Sequence, residues 1–346
     1  MKTHSIILVF IGVVCVSGQI NRHEYPTPSD IYNLIEIHVK QDDRQQPDYY
    51  GYEPVCPDAE DIFPCVCTYD SLSNAMDLNC SAVESQEQLK QIFEADFPSM
   101  NFREFDIKHN KNLKVLEAGV FNGISFEKFD IRYNNLEIIE VQALDSSYET
   151  ATGITLYENN ITSFPFEELS QFSKLSSFAI NFSPLSVIPA DAFNGLTALV
   201  NLHLCCNDAD IVGTFQDLPN LRYIDLGAND IPAIPANFIK SGSSDLSYLE
   251  LYSNNIVSVE PGAFDNVDGL DINMGGNSLS TLDEAAWRPY LEAGGILEAG
   301  GNPLVCGCDI AWLFGEDQLL EQVKRGATCT DGELLQDLDP SIFDNC

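Results

Sequence analysis

LRYIDLGANDIPAIP, residues 221–235, and LSYLELYSNNIVSVE, residues 246–260, are two copies of one pattern. Apolar side chains stand at Leu221, Ile224, Leu226 and Ile231 in the first copy, and at Leu246, Leu249, Leu251 and Ile256 in the second. Each copy places an asparagine three residues after its third apolar position, at Asn229 and Asn254. Working outward in both directions, the same place is filled by Asn110, Asn134, Asn159, Ser183 and Asn207, and then by Asn277 and Asn302. The gaps along this series are 24, 25, 24, 24, 22, 25, 23 and 25 residues.

The step Leu-x-Leu has strand periodicity, so two side chains share one face and the variable ones take the other. Leu246, Leu249, Leu251, Ile256, Val259 and Phe264 form the inward set of one copy, too small to be buried alone. Stacked copies bury it in a continuous core beneath a parallel sheet. A period of 20–29 residues with this internal order marks a leucine-rich repeat solenoid. The expected fold is therefore α/β: a right-handed horseshoe with a parallel β-sheet on its concave face and an irregular convex side. Phe164-Pro165, Ile188-Pro189 and Ile234-Pro235 follow their strands and argue against long outer helices. The recurrent asparagine turns the chain out of the strand, and its amide can satisfy buried backbone groups there. Ser183 interrupts that series with a smaller group, at an expected loss of about 1 kcal/mol.

A solenoid exposes apolar layers at both ends, and cysteines cluster at both. Cys56, Cys65, Cys67 and Cys80 precede the first repeat; Cys306, Cys308, Cys329 and Cys346 follow the last, with Trp312 placed to cover the final layer. Disulfide caps suit an oxidising compartment. Sequence alone leaves three pairings for each set of four. A zinc reading fails because no histidine sits near either cluster. The adjacent Cys205 and Cys206 read as a vicinal disulfide or two unreactive thiols, or as a bridge to a partner chain; the absence of C-x-x-C spacing argues against a redox active site.

Residues 1–18 carry Lys2, an apolar run and small residues before Gln19, the pattern of a secretory signal peptide. Residues 19–55 read as a flexible acidic extension in which Ser29–Lys40 could form a short element. Tyr49, Tyr50 and Tyr52 lie beside acidic residues, a setting for sulfation, although a plain tether is the simpler reading. The remaining boundaries are 56–100 for the N-terminal cap, 101–301 for about nine repeat strands, and 302–346 for the C-terminal cap. No further apolar run spans a bilayer, so a secreted, extracellular protein without membrane insertion is expected. Acceptor sequons occur at Asn79, Asn160 and Asn181. Asn160, on a turn, is the strongest glycosylation candidate; Asn79 is the second, hindered by Cys80, and Asn181 is disfavoured by Ser183-Pro184.

The chain carries 17 Lys and Arg against 53 Asp and Glu, a formal charge of −36. That excludes nucleic acid as a partner, because no basic surface exists to displace counterions. A basic partner would be steered toward it.

No catalytic constellation emerges. His203 and Asp225 fall on neighbouring strands near Cys205, but a polar solenoid face offers such pairs by chance and nothing encloses them. Asp265, Asp268 and Asp271 lack calcium-loop spacing. No cofactor or metal is expected. The concave face is the better place for function. Its middle variable column reads Asp106, Asp130, Thr155, Ala179, His203, Asp225, Glu250, Asn273 and Glu298. Basic residues gather early, at Lys108, Lys128 and Arg132, and tyrosines later. Tyr157, Tyr223, Tyr248, Glu250 and Tyr252 are the expected partner-binding residues, since rigid tyrosines favour binding hot spots. Gly275, Gly276, Gly300 and Gly301 are expected to leave the last strands open to a partner's backbone.

Three segments carry a family resemblance: CPDAEDIFPCVCTYD at 56–70, SAVESQEQLKQIFEADFP at 81–98, and NNITSFPFEEL at 159–169. They resemble the larger, non-catalytic subunit of the secreted luciferase of decapod shrimps. The two cysteine sets likewise resemble the flanking modules of extracellular leucine-rich repeat proteins. The second resemblance implies the pairs Cys56–Cys67, Cys65–Cys80, Cys306–Cys329 and Cys308–Cys346. The first implies a secreted, non-enzymatic subunit that binds a small secreted catalytic partner, and it carries no catalytic residues over. The alternative is an extracellular recognition protein of the innate-immune receptor type.

Overall fold

The computed structural model describes residues 55–209, 215–240, 245–265, 267–315 and 319–346. The expected signal peptide, the extension up to residue 54 and its tyrosines lie outside the described residues.

Eleven strands form one sheet in sequence order. They are β1 (Val66–Asp70), β2 (Ala75–Asn79), β3 (Asn101–Lys108), β4 (Ser125–Arg132), β5 (Gly153–Tyr157) and β6 (Ser177–Asn181). The remainder are β7 (Asn201–His203), β8 (Tyr223–Asp225), β9 (Tyr248–Glu250), β10 (Asp271–Asn273) and β11 (Ile296–Glu298). Only β1 runs antiparallel, as the hairpin partner of β2; every later neighbour is parallel. Parallel neighbours need a crossover, and here each crossover is the outer half of a repeat.

The outer halves hold short 3-10 turns and two-residue strand pairs, such as Ala233–Ile234 beside Ser258–Val259. Among the described residues, two helices are longer. The first, α1 (Gln86–Phe93), starts on a capping box: Ser85 Oγ accepts the Gln88 N–H at 3.1 Å, and Gln88 Oε1 accepts the Glu84 N–H at 2.6 Å. It turns Leu89, Ile92 and Phe93 onto the first repeats. The second, α2 (Glu284–Glu292), closes the far end with Trp287, Tyr290 and Leu291 buried.

The core changes character along its length. Under β3 and β4, Phe93, Phe105, Phe121, Phe126 and Phe129 pack edge-on and tilted, with centroids between 4.8 and 6.3 Å. Under β8 to β10 the layer is aliphatic: Ile224, Leu226, Leu249, Leu251, Ile272 and Met274, all at 0% exposure.

The asparagines stitch each repeat to the one before. Asn254 Nδ2 donates to the carbonyls of Leu226 and Leu251 at 2.9 and 3.0 Å, while its Oδ1 accepts the Ile231 N–H at 3.1 Å. Asn277 repeats this with Leu251, Met274 and Ile256. The series has a defect where the serine stands: Ser183 Oγ and the neighbouring Asn159 Oδ1 are buried without hydrogen bonds. The residue before every ladder position is left-handed, with φ from 48° at Glu158 to 72° at Gly301. Nothing in residue type announces this, because the column reads His109, Tyr133, Glu158, Phe182, Cys206, Ala228, Ser253, Gly276 and Gly301.

Disulfides Cys56–Cys67 and Cys65–Cys80 close the N-terminal cap; Cys306–Cys329 and Cys308–Cys346 close the C-terminal one. Trp312 lies buried over the last turn with Nε1 donating to the Leu282 carbonyl at 3.1 Å. The expected opening over the terminal glycines is narrowed at Gly300, while Gly276 and Gly301 are exposed. A Cβ on Gly300 would lie 3.1 Å from the carbonyl oxygen of Gly326, so the chain's own cap covers that strand.

Candidate binding face

Register turns the middle variable column into one continuous row. Asp106, Asp130, Thr155, Ala179, His203, Asp225, Glu250, Asn273 and Glu298 are successive Cα partners across nine strands. The carboxylates of this row meet different fates at its two ends.

At the N-terminal end most of the charges are paired with one another, although burial still raises the Asp106 carboxyl against the pull of Lys108. Lys108 Nζ reaches Asp106 at 3.0 Å and Asp130 at 2.7 Å, and Arg132 clamps Asp130 with Nε and Nη2. Arg103 holds Asp77 through Nε at 2.8 Å and reaches Asp70 at 3.2 Å. Burial opposes the Lys108 charge, and its bonds to Asp130 and Asp106 overcome that and raise its pKa. Glu104 faces the same patch without a hydrogen bond or ion pair; burial, then Asp130 and Asp106, push its carboxyl upward. A hollow of about 520 Å³ opens here between Val66, Thr68, Asp77, Asn79, Glu104 and Asp106. Glu104, Asp106 and Asp130 converge on one spot, and Lys108 already supplies it with a cation. The basic residues expected to mark the early face are thus largely consumed within it.

The centre is built differently. Tyr223 lies 5.0 Å from the His203 ring and 6.3 Å from Tyr248. Tyr252 lies over Gly227, where a Cβ would come within 2.4 Å of its ring, and its hydroxyl is 3.3 Å from Cys205 Sγ. Asp225 Oδ1 accepts the Gly227 N–H at 3.0 Å, and Glu250 Oε2 accepts from Asn273 Nδ2 at 2.8 Å. Neither carboxylate has an ion pair among the described residues. Burial, reinforced by Glu250, pushes Asp225 up to about 7 against the pull of the Gly227 N–H. Burial also raises Glu250, helped by Asp271 and Glu298 and opposed by the Asn273 bond. His203 is driven down to about 4 by burial alone, so its ring is neutral and stacks on tyrosine. His203 and Asp225 are strand neighbours joined by no hydrogen bond, which leaves the pair without the base–orienter link that nucleophilic catalysis needs.

The five residues expected to bind a partner therefore fall into two groups. Tyr223, Tyr248, Glu250 and Tyr252 share the centre. Tyr157 belongs to a separate row: His109 stacks on Tyr133 at 4.9 Å, Tyr133 meets Tyr157 at 5.5 Å, and Tyr157 meets Phe182 at 5.1 Å. Burial lifts Tyr157 to about 12. Sequence reasoning missed this row because three of its members occupy the left-handed column. The signal available was the residue before each ladder position, which is aromatic three times in the first four repeats.

A sheet of this topology, an asparagine ladder and cysteine caps at both ends define a leucine-rich repeat solenoid protein. The family model described as leucine rich repeat matches residues 173–231. A relative from Oplophorus gracilirostris, the Oplophorus-luciferin 2-monooxygenase non-catalytic subunit, is 33% identical over 316 residues, covering 83% of this chain and 87% of the relative. The chain belongs to the family of that subunit. Mouse Toll-like receptor 9 is 35% identical over 105 residues, covering 30% of this chain and 10% of the receptor. Among solved structures, the crystal structure of a TLR13–ssRNA13 complex is similar at TM-score 0.53 and 25% identity, covering 64% of this chain and 31% of that one. A chain of the octameric complex of Latrophilin 3, Unc5D and FLRT2 shares the fold at TM-score 0.52 and 18% identity, over 75% of this chain and 86% of that one. Among the described residues, no helix is long and apolar enough to cross a membrane.

Proposed function

We propose that this chain is a secreted, non-catalytic binding subunit that holds a protein partner on the exposed face of its sheet, as part of an extracellular complex of the shrimp-luciferase non-catalytic type. The observation that carries this reading is the central face itself. Two tyrosines in register, a third over Gly227, and two half-buried carboxylates without ion pairs among the described residues form a rigid acidic surface. Tyrosines held by a sheet lose little entropy on binding, and a partner's Lys or Arg would supply the missing counter-charge. The named relative is itself a non-catalytic subunit.

Affinity capture with the intact protein from its native fluid, followed by mass spectrometry, tests the reading. A single partner near one-to-one is expected. Tyr248→Ala with Tyr252→Ala should then weaken capture about 30-fold or more, the effect of losing a hot spot of 2 kcal/mol, with the melting temperature little changed. Unchanged capture would remove this face from the reading. The stretches shared with Toll-like receptors favour a second reading, conditional recognition of an extracellular ligand. That reading expects no stoichiometric partner in resting fluid and capture only after challenge.

A further inference from the structure

We propose that Cys205–Cys206 is a thiol-exchange site on the sheet face, opened at Cys206 by a small cationic thiol or by a partner's cysteine in a basic setting. The two sulfurs are bonded. This bond differs in kind from the four in the caps. Those close stretches of 11, 15, 23 and 38 residues and so restrict the unfolded chain, whereas Cys205–Cys206 closes a separation of 1. It therefore adds almost nothing to the fold by loop closure.

The backbone around the pair is held without it. The Cys205 N–H donates to Asn181 Oδ1 at 3.1 Å, the Cys206 N–H to the Gly227 carbonyl at 2.9 Å, and the Cys205 carbonyl accepts the Phe182 N–H at 3.2 Å. Opening the bond would leave the ladder intact and change only the chemistry of the face.

Two features give the exchange a direction. Cys205 is buried while Cys206 is half-exposed, so an incoming thiolate meets Cys206 first. The Tyr252 hydroxyl lies 3.3 Å from Cys205 Sγ, placed to donate to that sulfur as it leaves. In the first step the thiolate attacks Cys206 Sγ, a new S–S bond forms, and Cys205 departs as a thiolate with the bonding electron pair. A second thiol, attacking the adduct at its own sulfur, releases Cys206. Two thiols are oxidised to one disulfide, and the protein's disulfide is reduced by the same two electrons. Charge selects the reagent. Asp225 lies on the next strand and Asp208 two residues beyond Cys206, while β7, β8 and β9 contain no Lys or Arg. An anionic thiol such as glutathione is repelled and a cationic one such as cysteamine is drawn in.

The test exposes the intact full-length protein to graded cysteamine or glutathione at low and at high salt. After an acid quench and maleimide trapping, the cysteine peptides are mapped by mass spectrometry. At the lowest reactive dose, the thiol adduct is expected on Cys206, maleimide on Cys205, and neither on the eight cap cysteines. Cysteamine should outrun glutathione several-fold at low salt, with the gap narrowing at high salt. Tyr252→Phe should slow exchange several-fold without moving the melting temperature. Cap cysteines reacting first, adduct on Cys205, or glutathione leading at low salt would overturn the site. An unchanged rate in Tyr252→Phe would remove Tyr252 as its positioning residue. The double variant Cys205→Ser with Cys206→Ser is expected to melt with the parent; a large loss would make the bond structural and overturn the proposal.

Discussion

The first two repeats and the sixth and seventh place carboxylates in the same row and deal with them in opposite ways. Around β3 and β4, Asp106 and Asp130 are gripped by Lys108 and Arg132 at the surface of a phenylalanine core. Around β8 and β9, Asp225 and Glu250 sit half-buried among tyrosines, held by one N–H donor each and without an ion pair among the described residues; Lys324, paired with Asp271, acts on Glu250 only from a distance. A carboxylate that has its counter-charge has little to offer a partner. One that lacks it is costly until a partner arrives. On the proposed reading, the N-terminal end of the face is largely paired within the chain and the centre takes its counter-charge from a partner.

The cores beneath the two regions give the strongest contrast to probe. Phe105→Ala removes a ring at 0% exposure that touches four other phenylalanines, and the expected cost is about 3–5 kcal/mol in urea unfolding. Leu249→Ala under β9 should cost about 2–5 kcal/mol. If Phe105→Ala proved the milder, the aromatic cluster would be able to close over the hole. The ladder supplies the next contrast. Asn229 Nδ2 serves the carbonyls of Leu204, Leu226 and Gly227, and its Oδ1 takes the Ala209 N–H. Asn159 serves two carbonyls and leaves its Oδ1 without a partner. Asn229→Ala should therefore cost about 2–3 kcal/mol and exceed Asn159→Ala by about 1 kcal/mol in the same assay. Equal losses would mean that water replaces the amide in both places.

Much of this architecture is visible before any coordinates. The ladder positions and the inward apolar set follow from periods of 2 and about 24, because each buried position has to recur for neighbouring repeats to share a core. The row from Asp106 to Glu298 is visible for the same reason. Three things are not. Left-handed backbone at Tyr133, Phe182 and Cys206 is a property of the turn and leaves no mark on residue type, so the aromatic row through Tyr157 goes unseen. The pairing of Lys108 with Asp130 depends on a side chain reaching across one strand, which column reading cannot supply. The cover over Gly300 comes from Gly326, in a cap whose path is set by its disulfides and not by the repeat.

Titration separates the two regions at smaller amplitude. Asp225 has its folded pKa raised to about 7, so between its ordinary value and about 7 the folded state holds a proton that the unfolded state has lost. Stability from this group is accordingly present at low pH and is lost as pH rises through about 7. His203, pushed down to about 4, acts the other way: the unfolded chain binds the extra proton, and stability rises from about 4 to the ordinary histidine value. Asp225→Asn keeps the acceptor for the Gly227 N–H and removes the buried charge. It should raise stability at pH 8 by on the order of 1 kcal/mol, by about a third of that at pH 5, and hardly at all at pH 3. A variant no more stable than the parent at pH 8 would show that Asp225 already has a counter-charge in solution, and the contrast with Asp130 would fail.

The smallest effect concerns the sugar, and it sharpens the comparison by asking which part of the face is free. We propose that Asn160 is glycosylated, that Asn79 is the second and hindered acceptor, and that Asn181 stays bare. Asn160 is exposed on the turn after Asn159, outside the strands, with its backbone N–H fixed to the Leu136 carbonyl at 2.9 Å. Asn79 turns its amide toward Asp106 at 3.4 Å and its Oδ1 toward the Ser81 N–H at 2.9 Å, beside the disulfide-bonded Cys80. Asn181 lies on the face in β6, its Oδ1 holding the Cys205 N–H, and its sequon hydroxyl, Ser183, is buried. Enzymatic deglycosylation in heavy-oxygen water should label Asn160 most, Asn79 less and Asn181 not at all, and Asn160→Gln should change stability by less than about 0.5 kcal/mol. A glycan on Asn181 would stand on the sheet between the two regions, next to Cys205. It would close the centre of the face to a protein partner, and the distinction between a finished end and an open one would no longer describe where binding occurs.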